Sequence, residues 1–303
     1  MRGVFVDASE SMAELFKRLG KSGDPEVRIN VNPDFKPEEW PRVLDGAEIG
    51  IVDHTALPTG IAKQCTGLKH VVFLGTGARS YMNPEELAEL DISVHLIKGY
   101  GDTAVAESTI ALMWASARVI ALMDREMRGG NWLREDGVQL TGKTLGLIGF
   151  GGIAAEVARI AAGSGMRVLA WNRTPKSAPG VEFVTLEKLL AESHVVSLHL
   201  LLNDDTRGFL SRERIAAMRP GVILVNTARG ALVDEAAMID ALKLGHIRHA
   251  GLDVFNIEPL PRDHPLTKLP NVTLSAHSAF RTPEASENLL GAAWEHCRRI
   301  VRS

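Results

Sequence analysis

Apolar residues recur along this chain in short runs that alternate with helically spaced stretches. β-rich runs occupy residues 3–6, 27–31, 49–52, 70–74 and 93–97, and helical patterns lie at 10–19, 58–64 and 84–89. Strands separated by helices predict a parallel sheet covered on both faces. The pattern from 105 to about 123 is apolar around most of its circumference, which predicts burial in a core or, better for a chain of this size, in a subunit interface. From Thr144 the alternation resumes: strands at 144–148, 167–170, 195–199, 222–225, 249–252 and 272–275, with helices at 152–163, near 186–191, 212–218 and 235–244. The fold class is therefore α/β, with two doubly wound parallel-sheet domains, and a chain of 303 residues accommodates both.

The second alternation starts at a glycine turn. Leu145, Leu147 and Ile148 end at Gly149, and Gly149, Gly151 and Ala154 satisfy the dinucleotide fingerprint whose third glycine can be alanine. Six strands with intervening helices after it are what a Rossmann domain requires. In NAD binders, an acidic residue about 20 positions onward accepts bonds from the adenine ribose. Here Asn172 stands in that place, followed by Arg173 and Thr174. An amide, a cation and a hydroxyl suit a ribose 2′-phosphate, so NADP(H) is expected to be preferred, with NAD(H) as the lesser cofactor and Arg173 as the main anion ligand.

Composition narrows the class. With 34 basic and 37 acidic residues the formal charge is −3, which offers no global attraction to nucleic acid or to an anionic membrane. Cys65 and Cys297 form no C-x-x-C and no zinc-ligand cluster, so no metal site is expected. No signal-peptide or membrane-spanning pattern is visible, and a reducing cytoplasm fits.

Candidate chemistry lies just beyond strand ends. Carbonyl reduction by hydride needs a cation or dipole on the carbonyl and an acid to protonate the developing alkoxide. Arg229, Glu258 and His277 each follow the carboxyl end of a different strand, and His199 is the competing acid. In the first half, Gly75-Thr76-Gly77 follows a strand, where backbone N–H groups can receive an anion.

The segments Gly142–Gly151, Met218–Gly221, Val225–Gly230, Gly251–Phe255 and His277–Ala279 resemble the D-isomer-specific 2-hydroxyacid dehydrogenase family over essentially the whole chain. The resemblance is nearest to the glyoxylate and hydroxypyruvate reductases. It implies a Rossmann domain (98–275) inserted in a flavodoxin-like substrate domain (1–97 plus 276–303), and a homodimer formed through the inserted domain. The final stretch, 283–303, would be a helix returning to the first domain. By the same resemblance His277 is the acid/base. Glu258 orients His277 and raises its pKa, and Arg229 grips the carboxylate and polarises the carbonyl. Asp253 bonds the nicotinamide amide, and the amides of Gly75, Thr76 and Gly77 receive the substrate carboxylate. The resemblance also puts Gly152, Ile153, His199, Thr206, Thr227 and Ala228 on the cofactor surface, with a small 2-oxoacid or 2-hydroxyacid as the partner in reaction.

Three departures stand out. Gly152 replaces the usual glycine-turn arginine, the run after His199 lacks a common proline, and Gly77–Met82 is less regular than in many relatives. Rival readings share the fold. Formate dehydrogenases pair their histidine with glutamine, which Glu258 argues against. A short phosphoglycerate dehydrogenase and a nucleotide-sensing corepressor-like protein are the alternatives that remain.

Overall fold

The computed structural model describes residues 1–302; Ser303, the last position of the expected C-terminal helix, lies outside the described residues. The chain divides into two compact units, residues 1–101 together with the chain from Arg281 onward, and residues 102–280.

The first unit is built on strands β1 (Gly3–Ala8), β2 (Val27–Val31), β3 (Ile49–Val52), β4 (His70–Phe73) and β5 (Ser93–Leu96). They form one parallel sheet in the order β2-β1-β3-β4-β5. Alternating side chains serve opposite faces: Val4 and Val6 pack with Trp40 and Leu44, while Phe5 packs with Phe16, Leu290 and Trp294. That second face is covered by the helices Glu10–Leu19 and Pro283–Arg302. Phe16 and Trp294 stack at 4.3 Å, and the Trp294 indole N–H donates to the Phe16 carbonyl at 2.9 Å. Arg298 grips Asp24 through two bonds of 2.6 and 2.8 Å, and this pairing holds the Asp24 carboxyl down at about 2.

The second unit contains β6 (Thr144–Ile148), β7 (Arg167–Trp171), β8 (Val181–Phe183), β9 (Val195–Leu198), β10 (Val222–Asn226), β11 (Ile247–Leu252) and β12 (Val272–Leu274). All are parallel, in the order β12-β11-β10-β9-β6-β7-β8. The order reverses between β6 and β9, the switch point at which such sheets open a crevice beyond their carboxyl ends.

Three expectations need correction. The long apolar pattern is two helices, Asp102–Ala117 and Ile120–Arg128, bent by 68°. Val119 takes a left-handed backbone at φ 55°, and the returning chain caps the first helix when the Val138 N–H donates to the Ala117 carbonyl at 2.7 Å. The first helix packs within its own unit, against β10, β11 and the helix Gly152–Gly163. The second has no buried residue. The sheet has seven strands where six were expected, because β8 is a half-exposed, three-residue edge strand interrupted by Glu182 and has no apolar run to betray it. Finally, the units divide at 101/102 and 280/281 rather than at 97/98 and 275/276. Tyr100 accepts a bond from Asn288 of the C-terminal helix, whereas residues 277–279 are tied to Asp253.

Candidate active site

In the second unit the sheet presents its chemistry on three successive loops. After β12, His277 sits in the left-handed region at φ 49°, a conformation that costs energy for any residue but glycine and marks a position held by its surroundings. The holder is Asp253, at the end of β11. Its wholly buried carboxylate accepts the N–H groups of Ser278 and Ala279, each at 3.0 Å, and the Ser275 hydroxyl. Its carbonyl accepts the His277 N–H at 2.8 Å. This carboxylate builds the His277 loop.

So placed, His277 presents Nδ1 to the Glu258 carboxylate at 2.6 Å. Glu258 is itself oriented, since its other oxygen accepts the Phe255 N–H at 2.9 Å. A ring whose Nδ1–H is committed to a carboxylate offers Nε2 for proton exchange, and both side chains are only about one-third exposed (38% and 34%), open to a ligand yet partly shielded from water.

Arg229 follows β10 on a loop braced by Asn226, whose side-chain amide donates to the Arg229 carbonyl and accepts from the Ala228 N–H, both at 2.9 Å. The guanidinium is exposed, with one donor bonded to the Ala228 carbonyl. Gly230 makes this loop possible, because a Cβ there would lie 2.1 Å from the Phe255 carbonyl carbon. The loops that carry Arg229 and Glu258 therefore touch backbone to backbone.

His199, the competing acid, follows β9. Burial pushes its imidazole down to about 4, so the ring is neutral at physiological pH, and Nε2 lies 2.9 Å from the Ser197 hydroxyl. Its carbonyl shapes the glycine turn: at φ 89°, Gly149 approaches within the space a Cβ would need, 2.6 Å from the His199 oxygen.

The turn delivers Gly151, Gly152 and Ile153 to the start of the helix Gly152–Gly163, whose first N–H groups have no partner within the helix. Those free donors at a positive helix end fit a diphosphate. Asn172, at the exit of β7, accepts the Phe150 N–H at 3.1 Å and donates to the Thr174 carbonyl at 2.8 Å, so it ties the adenine-side loop to the glycine turn. Arg173 is 80% exposed and 3.8 Å from Asp205, and Thr174 is exposed beside it. Sequence reasoning missed Lys176, whose Nζ donates to the Phe150 carbonyl at 2.6 Å and puts a second cation at this turn. Its signal was a lysine four positions after Asn172 in the same loop. Thr227 is buried against Thr109 at 2.8 Å, and the Thr206 hydroxyl is spent on its own turn at Leu201 and Asn203, so neither presents a free hydroxyl.

The first unit carries the other expected loop. Gly75 is buried at the end of β4, Thr76 is exposed and Gly77 half-buried. Among the described residues no backbone hydrogen bond outside the regular elements uses the Thr76 or Gly77 N–H, which leaves two amides able to receive an anion. Next to it in the sheet order, His54 follows β3. Its Nδ1 lies 3.1 Å from the Asp53 carboxylate and its Nε2 2.9 Å from the Pro33 carbonyl, with buried Asp7 3.7 Å away.

Comparison with known proteins places this geometry. Residues 110–279 match the family model described as D-isomer specific 2-hydroxyacid dehydrogenase, NAD binding domain. The chain is 36% identical to a glyoxylate reductase of Aeropyrum pernix, over 96% of this chain and 92% of that one. It is also 36% identical to a hydroxypyruvate reductase of Thermotoga maritima, over 84% and 85%. A solved acyclic imino acid reductase in complex with NADPH and D-Arg superposes with a TM-score of 0.87 at 29% identity, covering 100% of this chain and 97% of that one. The protein belongs to the D-isomer specific 2-hydroxyacid dehydrogenase family, nicotinamide-dependent oxidoreductases acting on CH–OH groups.

Proposed function

We propose that the protein reduces small 2-oxoacids, glyoxylate and hydroxypyruvate foremost, prefers NADPH to NADH, and works in the cytoplasm as a homodimer. The observation that carries the reading is the 2.6 Å His277–Glu258 pair, held on a buried carboxylate at the carboxyl edge of a dinucleotide-type sheet. A bound nicotinamide cofactor supplies the hydride. His277 donates a proton to the substrate oxygen as that oxygen gains charge, and Glu258 compensates the positive ring before the proton leaves. Arg229 takes the substrate carboxylate and polarises the neighbouring carbonyl. In the first unit, the Thr76 and Gly77 amides are available to an anion.

The NADPH preference rests on Asn172 in place of an acid and on Arg173 and Lys176 in the same loop. The dimer rests on apolar side chains left exposed from the bend onward: Ile120 at 51%, Met127 at 54% and Trp132 at 78%. A panel of 2-oxoacids assayed with NADPH and NADH in parallel tests substrate and cofactor together. Glyoxylate or hydroxypyruvate should give the highest kcat/KM, with NADPH ahead of NADH. Replacing Arg173 and Lys176 by alanine should cost NADPH about tenfold in kcat/KM, roughly 1.4 kcal/mol, and leave NADH nearly unchanged. A higher kcat/KM with NADH overturns the preference, and cofactor binding without turnover of any 2-oxoacid favours the nucleotide-sensing alternative. Light scattering that gives the mass of one chain would remove the dimer.

A further inference from the structure

At Gly152, the first residue of its helix, the space where a side chain would stand is filled from another helix. A Cβ built on Gly152 would lie 1.8 Å from Asp102 Oδ2 and 2.8 Å from Asp102 Cγ, so the carboxylate rests directly on the first residue of the helix Gly152–Gly163. Asp102 opens the helix Asp102–Ala117, where an acidic residue in the first turn is favourable for that helix. That accounts for an acid at the position but not for its contact with a second helix start. Among the described residues no cation pairs with it, and partial burial, and then Glu156 on the neighbouring helix, push the Asp102 carboxyl up from its ordinary value. An uncompensated anion thus lies against the helix end whose free amides suit a diphosphate.

We infer that Asp102 is an affinity-setting residue, whose carboxylate opposes the diphosphate of a bound dinucleotide at the start of the Gly152 helix, loosening the grip on the cofactor and hastening its release. The inference rests on the dinucleotide reading of that turn. The two anions share one positive end, and like charges a few ångströms apart in a partly desolvated site repel far more than in water. Asp102 occupies the volume that a side chain at position 152 would take, and so places an anion there.

The test is binding, measured on the full-length protein with Asp102→Asn and, as a second neutral variant, Asp102→Ser. NADPH should bind about tenfold more tightly to both, with the gain mainly in a slower dissociation rate. Adenosine 2′-monophosphate, which carries the ribose phosphate but no diphosphate, should bind parent and variants within about twofold of one another. Unchanged or weaker NADPH binding in the variants overturns the inference, as does equal tightening of adenosine 2′-monophosphate, which would signal a general change of field or fold. Magnesium ion that tightens NADPH binding in the parent alone also overturns it, since the carboxylate would then be a metal bridge. A parent that binds neither NADPH nor NADH removes the dinucleotide reading itself, an outcome distinct from the others.

Discussion

Two histidines in this chain pair with carboxylates at the ends of parallel strands, and they do opposite work. His277 commits Nδ1 to Glu258 and keeps Nε2 for a ligand. His54 commits both nitrogens, Nδ1 to the Asp53 carboxylate and Nε2 to the Pro33 carbonyl. Both partners only accept, so a ring that satisfies them must carry both protons. Hydrogen bonding to Asp53, opposed by partial burial and helped by Pro33 and Asp7, raises the His54 pKa to about 9. Such a ring is a rivet joining the ends of β1 and β3 to the chain after β2. Asp7 completes it, accepting the N–H groups of Asp53, His54 and Thr55 and the Thr55 hydroxyl at 2.9–3.0 Å. A histidine–carboxylate pair is therefore uninformative until the second ring nitrogen is accounted for.

The sharpest break between the two would come from removing the rings. His277→Ala should lower kcat/KM for 2-oxoacid reduction by about 10³-fold, the range for loss of a positioned general acid, with little change in Tm. Retention of activity within a few-fold would erase the distinction. Glu258→Gln comes next: its amide can still accept from Nδ1–H but does not compensate a charged ring. A loss on the order of tenfold in kcat, with KM less affected, is expected in steady-state assays.

The smallest effect belongs to the rivet. His54→Gln should cost about 1 kcal/mol of stability near neutral pH, limited by the half-exposed ring, and leave kcat within about twofold. Its signature is pH. Because the folded pKa lies above the unfolded value of 6.5, the stabilisation is complete below about pH 6.5 and is lost as pH rises through about 9. Thermal melts from pH 6 to 10 should show an alkaline decline in the parent that is shallower in His54→Gln. Parallel curves for the two proteins would show that the ring carries no such linkage.

Much of the architecture was readable because it is written in local periodicity. The strands on both sides of the glycine turn are short apolar runs, and the turn residues are confined by backbone geometry. Arg229, Glu258 and His277 were readable because each follows a strand that itself could be read. What escaped depends on contacts distant in sequence. The break at Val119 is set by Val138 capping Ala117, and nothing in the apolar pattern from 105 to 123 interrupts it. The scaffolding role of Asp253 emerges only when residues 275–279 fold back over it. Asp102 and Gly152 lie 50 positions apart, and their contact exists only because two helices start side by side. Lys176 is the exception, since it lies in the same loop as Asn172, Arg173 and Thr174.

Gly230 has a consequence beyond fitting its loop. The hydrogen that stands in place of a side chain there sets the distance between the strand exits that carry the cation proposed to grip the carboxylate and the partner of the proposed proton donor. It acts as a gauge block one atom thick. A single methyl group, as in Gly230→Ala, would push the two loops apart without altering any charge or any proposed catalytic group. Since a misplacement of about 1 Å can cost roughly 10²-fold in rate, the spacing of this machinery is set by the smallest residue in it.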